Sequence, residues 1–186
     1  MTRTLLKLRP ATILVVCVVV SFTASPAHAE TIKLQITGLF APDREADLRE
    51  TVAKIPKVKL VDVDFKNAEA TFEYDPAQVF AGAKLAQIIQ RLNDQISHES
   101  DRTFGVKALR TIPREKLTLI EIPVAGLDCR ACSLAAYEIV LRVEGVEMAT
   151  ASFREGRVTA LIDPARTDRT KVEDALKKRG VEIRSR

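Results

Sequence analysis

The chain contains two copies of one sequence pattern, offset by 88 residues. The segment ETIKLQITGLF aligns with TLIEIPVAGLD, so that Gly38 pairs with Gly126. The match continues without a gap to the triplet Asp-Pro-Ala at 75–77, which pairs with the same triplet at 163–165. An ungapped match over roughly 47 residues that ends on a shared triplet is too long for coincidence. The repeat therefore indicates two units of the same fold.

Within each copy, the spacing of the apolar residues changes along the chain. Ile32, Leu34 and Ile36 alternate with polar residues, which is the pattern of a half-buried strand. Residues with helical spacing follow, and then come two short strand-like runs, a second helix and a closing strand. The predicted second helices span Ala83 to Ile96 and Thr170 to Arg179, and the predicted closing strands span Thr103 to Leu109 and Val181 to Arg184.

The order in each copy is strand, helix, strand, strand, helix, strand, which is the split βαβ or ferredoxin-like arrangement. We therefore predict an α+β chain of two tandem ferredoxin-like βαββαβ domains. Each would have a four-stranded antiparallel sheet with two helices on one face. The predicted boundaries are a signal peptide at 1–29, a first domain at 30–110, a linker at 111–116 and a second domain at 117–186.

The first 29 residues have the pattern of a secretory signal peptide. Three basic residues precede an apolar run at 11–20, and Ala27-His28-Ala29 forms an Ala-x-Ala cleavage site. The run is about half as long as the roughly 20 residues that a membrane-spanning helix needs. We expect cleavage after Ala29, loss of Cys17 with the signal, and no membrane span in the mature protein. The expected location is the periplasm or the exterior of the cell.

Removal of the signal also changes the charge balance. The 29 Lys and Arg residues fall to 26 against 25 Asp and Glu, so the net charge falls from +4 to +1. A nearly neutral chain gives no reason to expect nucleic acid or an anionic membrane as a partner.

Neither copy has a His-centred nucleophile arrangement or clustered carboxylates, so we expect a protein that is not an enzyme.

The mature chain keeps two cysteines, Cys129 and Cys132, in the stretch GLDCRAC. They lie between the first strand and the first helix of the second copy, where free backbone N–H groups and the helix dipole favour a thiolate. Two thiolates can bind a soft ion such as Cu(I), Zn(II) or Hg(II), or they can form a disulfide that exchanges electrons. Arg130 either offsets the negative charge of such a site or is an ordinary exposed loop residue.

The corresponding loop of the first copy reads GLFAPDR and has no thiols. Ala41 and Arg44 stand where Cys129 and Cys132 stand in the second copy, so this loop cannot bind a metal in the same way. Its Pro-Asp pair at 42–43 suits the start of a helix instead. We interpret the first copy as a degenerate unit that packs against the second copy or against a partner.

His98 and Met148 are the other side chains that could be proposed as metal ligands. His98 lies near the end of a predicted helix in the copy without cysteines, and Met148 lies in a predicted strand. We interpret them as a solvated histidine and an apolar strand residue.

The segment from Glu115 to Arg186 resembles the heavy-metal-associated domain of copper chaperones, metal-transporting ATPase tails and periplasmic mercury-binding proteins. The resemblance rests on the GLDCRAC loop, its place after a strand, and the ferredoxin-like order. The family loop usually reads G-M-x-C-x-x-C, with the methionine packed beneath the loop at the position of Leu127. Many members also have an aromatic residue where Val181 follows Gly180 in this chain.

The resemblance implies that Cys129 and Cys132 bind one soft metal ion. Cu(I) is the first expectation, with Hg(II) or Zn(II) as alternatives. The protein would carry or sequester the ion and pass it by thiolate exchange to or from a donor or acceptor protein with exposed thiolates. Two other functions are open: an extracytoplasmic thiol–disulfide exchange protein, and a non-catalytic interaction module with a vestigial C-x-x-C.

Overall fold

The computed structural model describes residues 29–184, so the predicted signal peptide and its cleavage site lie almost wholly outside the described residues. The first unit contains β1 (Glu30–Thr37), α1 (Arg44–Ala53), β2 (Val58–Asp64), β3 (Glu69–Tyr74), α2 (Leu85–Glu99) and β4 (Gly105–Lys107). The second contains β5 (Thr118–Ala125), α3 (Arg130–Leu141), β6 (Val146–Ser152), β7 (Arg157–Ile162), α4 (Arg169–Lys177) and β8 (Glu182–Ile183). None of the helices in this part of the chain is long and apolar enough to cross a membrane.

Each unit forms a four-stranded antiparallel sheet with its two helices on one face. The strand order is β2-β3-β1-β4 in the first sheet and β6-β7-β5-β8 in the second. The two sheets have the same topology, and the predicted ferredoxin-like fold is confirmed for both copies. A 3₁₀ turn, Arg114–Lys116, lies between them. The exact domain boundaries and the linker at 111–116 stay predictions.

The closing strands are shorter than the sequence pattern predicts. β4 covers only three residues and β8 only two. Both strands lie at the edge of a sheet and pair only with the last residues of β1 or β5. The apolar pattern extends beyond these few ladder positions because neighbouring residues such as Phe104 and Val181 still pack on a core.

The two hydrophobic cores are joined by a residue from the first unit. Phe40, in the loop between β1 and α1, is only 3% exposed and belongs to the core of the second unit. Its ring centroid lies 6.0 Å from that of Tyr137 in α3, and its carbonyl accepts a hydrogen bond from the Ala151 amide at 2.9 Å. The Tyr137 hydroxyl in turn accepts a hydrogen bond from the Gly38 amide at 2.7 Å. The loop of the first copy is thus built into the second.

A second contact lies where the outer face of the first sheet meets the edge strand β6. The ladder between β6 and β7 skips Glu147, because Val146 pairs with Ile162 and Met148 with Leu161. The Glu147 carbonyl accepts a hydrogen bond from the Gln35 side chain at 2.9 Å, and Gln35 is 2% exposed. An uncovered edge strand invites unwanted pairing with other chains. The first unit therefore protects part of this edge.

We expect Phe40→Ala to destabilise the second unit although the residue belongs to the first. Truncating a buried phenylalanine removes its transfer free energy and leaves a cavity, which costs about 3–5 kcal/mol. Hydrogen–deuterium exchange of the β6 and β7 amides should show the loss of protection. Leu119→Ala is the matched control because Leu119 is 57% exposed in β5. Equal protection in the two variants would contradict this role for Phe40.

Candidate metal-binding site

The loop that carries the cysteines is shaped by the Gly-Leu pair that both copies share. Gly126 has a φ of 74° and Gly38 a φ of 87°, a backbone conformation that favours glycine. At Gly38 an added Cβ would also lie 1.9 Å from the Thr103 carbonyl oxygen. Leu127 is buried in the second core, as the family pattern implies for this position. In the second unit, the turn and the buried leucine leave residues 128–131 at the surface.

Cys129 and Cys132 lie at the start of α3, as predicted. Cys129 is the N-cap residue, and its Sγ accepts a hydrogen bond from the Cys132 amide at 3.2 Å. Both thiols are free, Cys129 is exposed and Cys132 partly exposed. Their Sγ atoms lie 2.7 Å apart. The first turn of the helix therefore presents two converging sulfur atoms to solvent.

The surroundings lower the pKa of the Cys129 thiol. The largest cause is the hydrogen bond from the Cys132 side chain, followed by the Cys132 amide. The charge of Asp128 acts in the opposite direction. The helix terminus was expected to favour a thiolate, and the direction agrees. The sequence argument considered only the helix terminus and did not include the effect of the Cys132 thiol on the Cys129 pKa.

The donor set is limited to the two sulfur atoms. Between residues 29 and 184 no group of three or more His, Cys, Asp or Glu side chains could hold a metal ion. Thiolate sulfur binds soft ions at about 2.3 Å, so a two-coordinate ion would need the sulfur atoms to separate to at most about 4.6 Å. Rotation of exposed side chains can open the pair by that amount.

The two other candidate ligands lie elsewhere. His98 is in the last turn of α2 in the first unit, beside Pro56 in a surface cleft. Met148 lies in β6 and lines a small cavity with Gln35 where the units meet. The structure therefore brings neither side chain into the cysteine loop.

Val181 lies beside the site, in the cleft that Cys132 also lines. It follows Gly180, so the position that is aromatic in many family members is occupied here by a smaller aliphatic side chain. Arg179 and Glu182 lie on the same cleft. The cleft on one side of Cys132 is thus lined by both aliphatic and charged residues.

The cysteine-free loop of the first unit is filled by packing. Arg44, at the position equivalent to Cys132, places its guanidinium 5.3 Å from the ring centroids of both Phe40 and Phe104. It also forms an ion pair with Asp47. These contacts anchor the start of α1, and the loop has no thiol to offer a metal.

The sequence reasoning missed an ion pair that joins the two loops. Asp43 is the N-cap residue of α1, as expected of a helix-start residue, but its side chain makes no capping hydrogen bond. Its Oδ2 instead accepts a hydrogen bond from Arg130 Nη2 at 2.8 Å. The two residues are 87 positions apart in the chain, and no local pattern pairs them.

Three solved structures illustrate what the chain is similar to. The CopZ metallochaperone is 21% identical over 36% of this chain and 100% of its own, with a TM-score of 0.35. Oxidized MerP from Ralstonia metallidurans CH34 is 24% identical over 37% of this chain and 94% of its own, with a TM-score of 0.35. The N-terminal soluble domains of Bacillus subtilis CopA are 18% identical over 85% of this chain and 94% of their own, again at 0.35.

One of these matches, to the N-terminal soluble domains of CopA, spans most of the chain. No family model matches the sequence, and no curated protein matches it significantly. At TM-scores of 0.35 the matches carry no argument, and the fold rests on the sheet topology of the chain itself. The chemistry of the loop has to be argued from the residues of this chain.

We expect Cys129 to react with iodoacetamide at lower pH than an ordinary cysteine. A lowered pKa means that the reactive thiolate is already present below the usual thiol pKa of about 8.5. Mass spectrometry of the reduced protein can follow Cys129 alone across pH. The midpoint should rise in Cys132→Ala, which removes the largest cause of the shift. A wild-type midpoint at or above that of the urea-unfolded protein would contradict the expectation.

Proposed function

We propose that the protein is an exported carrier or sequestrant that binds one soft metal ion through Cys129 and Cys132. Cu(I) is the preferred ion, with Hg(II) and Zn(II) as alternatives. The observation that carries the proposal is the pair of free sulfur atoms, 2.7 Å apart, at the solvent-exposed start of α3. The proposed export, to the periplasm or the exterior of the cell, is supported by the signal-like pattern of residues 1–29.

Transfer by thiolate exchange follows from the small donor set. A two-coordinate ion leaves positions at which a partner's thiolates can enter before these two leave. The open cleft beside Cys132 gives an incoming thiol access to the ion. The expected partner is therefore a donor or acceptor protein with exposed thiolates, and no catalytic role is proposed for the chain.

Thiol–disulfide exchange is the second candidate, and the same sulfur separation favours it. A disulfide bond is about 2.05 Å long, so the two sulfur atoms need only a small movement to form one. Against this candidate, both units are ferredoxin-like, and the fold is complete in the copy that lacks thiols. In an oxidising compartment, metal binding requires a reductant or capture that is faster than oxidation.

We expect the reduced mature chain to bind one equivalent of Cu(I), and the Cys129→Ser/Cys132→Ser double variant to bind none above background. The physical reason is that serine oxygen is a hard ligand and does not replace thiolate for a soft ion. Competition with a chromophoric chelator under anaerobic conditions measures stoichiometry and affinity. Titrations with Hg(II) and Zn(II) rank the alternatives. Equal binding by the two proteins would refute metal binding through these residues.

Catalysed insulin reduction separates the remaining functions. Activity in the wild type alone would favour thiol–disulfide exchange. A vestigial C-x-x-C in an interaction module would give neither metal binding nor insulin reduction. Such a module should instead lose partner binding when residues of the first unit are changed.

A further inference from the structure

Arg130, the residue after the first cysteine, is held by the first unit. Its guanidinium donates to the Asp43 carboxylate at 2.8 Å, and the two side chains are 55% and 37% exposed. Arg130 is also the first residue of α3, so it lies within the same helical turn as Cys132. The charged side chain of Arg130 in the cysteine loop is therefore paired with a carboxylate of the first unit.

Asp43 is held in place by two anchors beside it. Phe40, three residues earlier, is buried in the second core, and its carbonyl is bonded to the Ala151 amide. Arg44, the next residue, has its guanidinium 5.3 Å from the centroids of two aromatic rings. The Asp43 side chain also leaves its own helix uncapped, although a carboxylate at this position usually caps. These contacts fix the Asp43 backbone beside α3, where its carboxylate is free to pair with Arg130.

We propose that Asp43 is a specificity-determining residue of the metal site, because its ion pair cancels the positive charge of Arg130, which lies between the two cysteines in the chain. The first copy thus sets the preference of the second between monovalent and divalent ions. This inference rests on the proposed metal binding by Cys129 and Cys132.

The direction of the effect follows from the charge of each complex. Two thiolates with a monovalent ion carry a net charge of −1, and with a divalent ion they are neutral. A free guanidinium nearby would attract the negatively charged complex of the monovalent ion. It would have almost no effect on the energy of the neutral complex of the divalent ion. Pairing with Asp43 removes most of that attraction. Asp43 therefore lowers the affinity for a monovalent ion relative to a divalent one. Proton competition at the thiols affects both affinities equally and drops out of their ratio.

The expected size is modest because the pair is exposed. Ion pairs in such positions are worth about 0.2–1 kcal/mol, which converts to a change of roughly 1.5- to 5-fold in the affinity ratio. Screening should reduce the effect at high ionic strength, since the Debye length is about 3 Å at 1 M salt.

The test compares the Cu(I) and Zn(II) affinities of the reduced full mature chain at one pH and low salt. Asp43→Asn should raise the Cu(I)-to-Zn(II) ratio by roughly 1.5- to 5-fold. Asp43→Glu should restore the wild-type ratio. Glu45→Gln is the matched control, because it removes the same charge nearby from a carboxylate that pairs with Arg49 instead. The ratio should stay unchanged in this control.

Arg130→Gln tests the opposite charge of the pair. It leaves the Asp43 carboxylate unpaired and should lower the Cu(I)-to-Zn(II) ratio, and the double variant, which has neither charge, should return to the wild-type ratio. An unchanged ratio in Asp43→Asn, or a ratio in Arg130→Gln that is not below the wild-type ratio, would overturn the inference while leaving metal binding intact. Failure of the wild type to bind either ion would instead refute the proposed function, and the inference with it.

Discussion

The burial of Phe40 in the core of the second unit is the contact on which the arrangement of the whole chain depends. The phenylalanine belongs to a loop of the first unit, yet it packs against Tyr137, and its carbonyl bonds to β6. Burying a large aromatic side chain contributes on the order of 2 kcal/mol, and the hydrogen bonds around it are shielded from water. Asp43 lies three residues further on and reaches the cysteine loop for this reason. Without the anchor, the units would be held by their short connection and by smaller contacts such as that of Gln35 with β6.

The same loop position has different uses in the two copies. In the second copy, the exposed first turn of the helix presents sulfur atoms to solvent. In the first copy, the equivalent residues are covered by aromatic–guanidinium packing and by the second unit. The Gly-Leu turn is common to both because each needs a positive φ and a buried leucine to leave the strand. The thiols are therefore not required by the fold, which is why a ligand is the better explanation of their presence.

Periodicity predicts most of the fold, because strand alternation and helical spacing are local properties of the sequence. The order of strands and helices along the chain and the position of the cysteines at a helix start agree with the structure. The closing strands were predicted too long, because packing extends the apolar pattern past the last ladder pair. Asp43 was placed correctly at a helix start, but its side chain bonds to Arg130 rather than to its own helix. Whether the Asp43 carboxylate caps its own helix or pairs with Arg130 depends on distances in the folded protein, which the sequence does not give.

By itself, the sequence determined that this chain has two similar units and that only one of them has a pair of thiols at the start of a helix. Both conclusions depend on residue identity and on spacing along the chain. Only the tertiary structure decided that the loop without thiols lies against the loop with them. That contact joins Asp43 to Arg130 across 87 residues, and it forms because Phe40 is buried in a core other than its own. Long-range packing of this kind depends on the shapes of two folded surfaces. It cannot be predicted from patterns of neighbouring residues in the sequence.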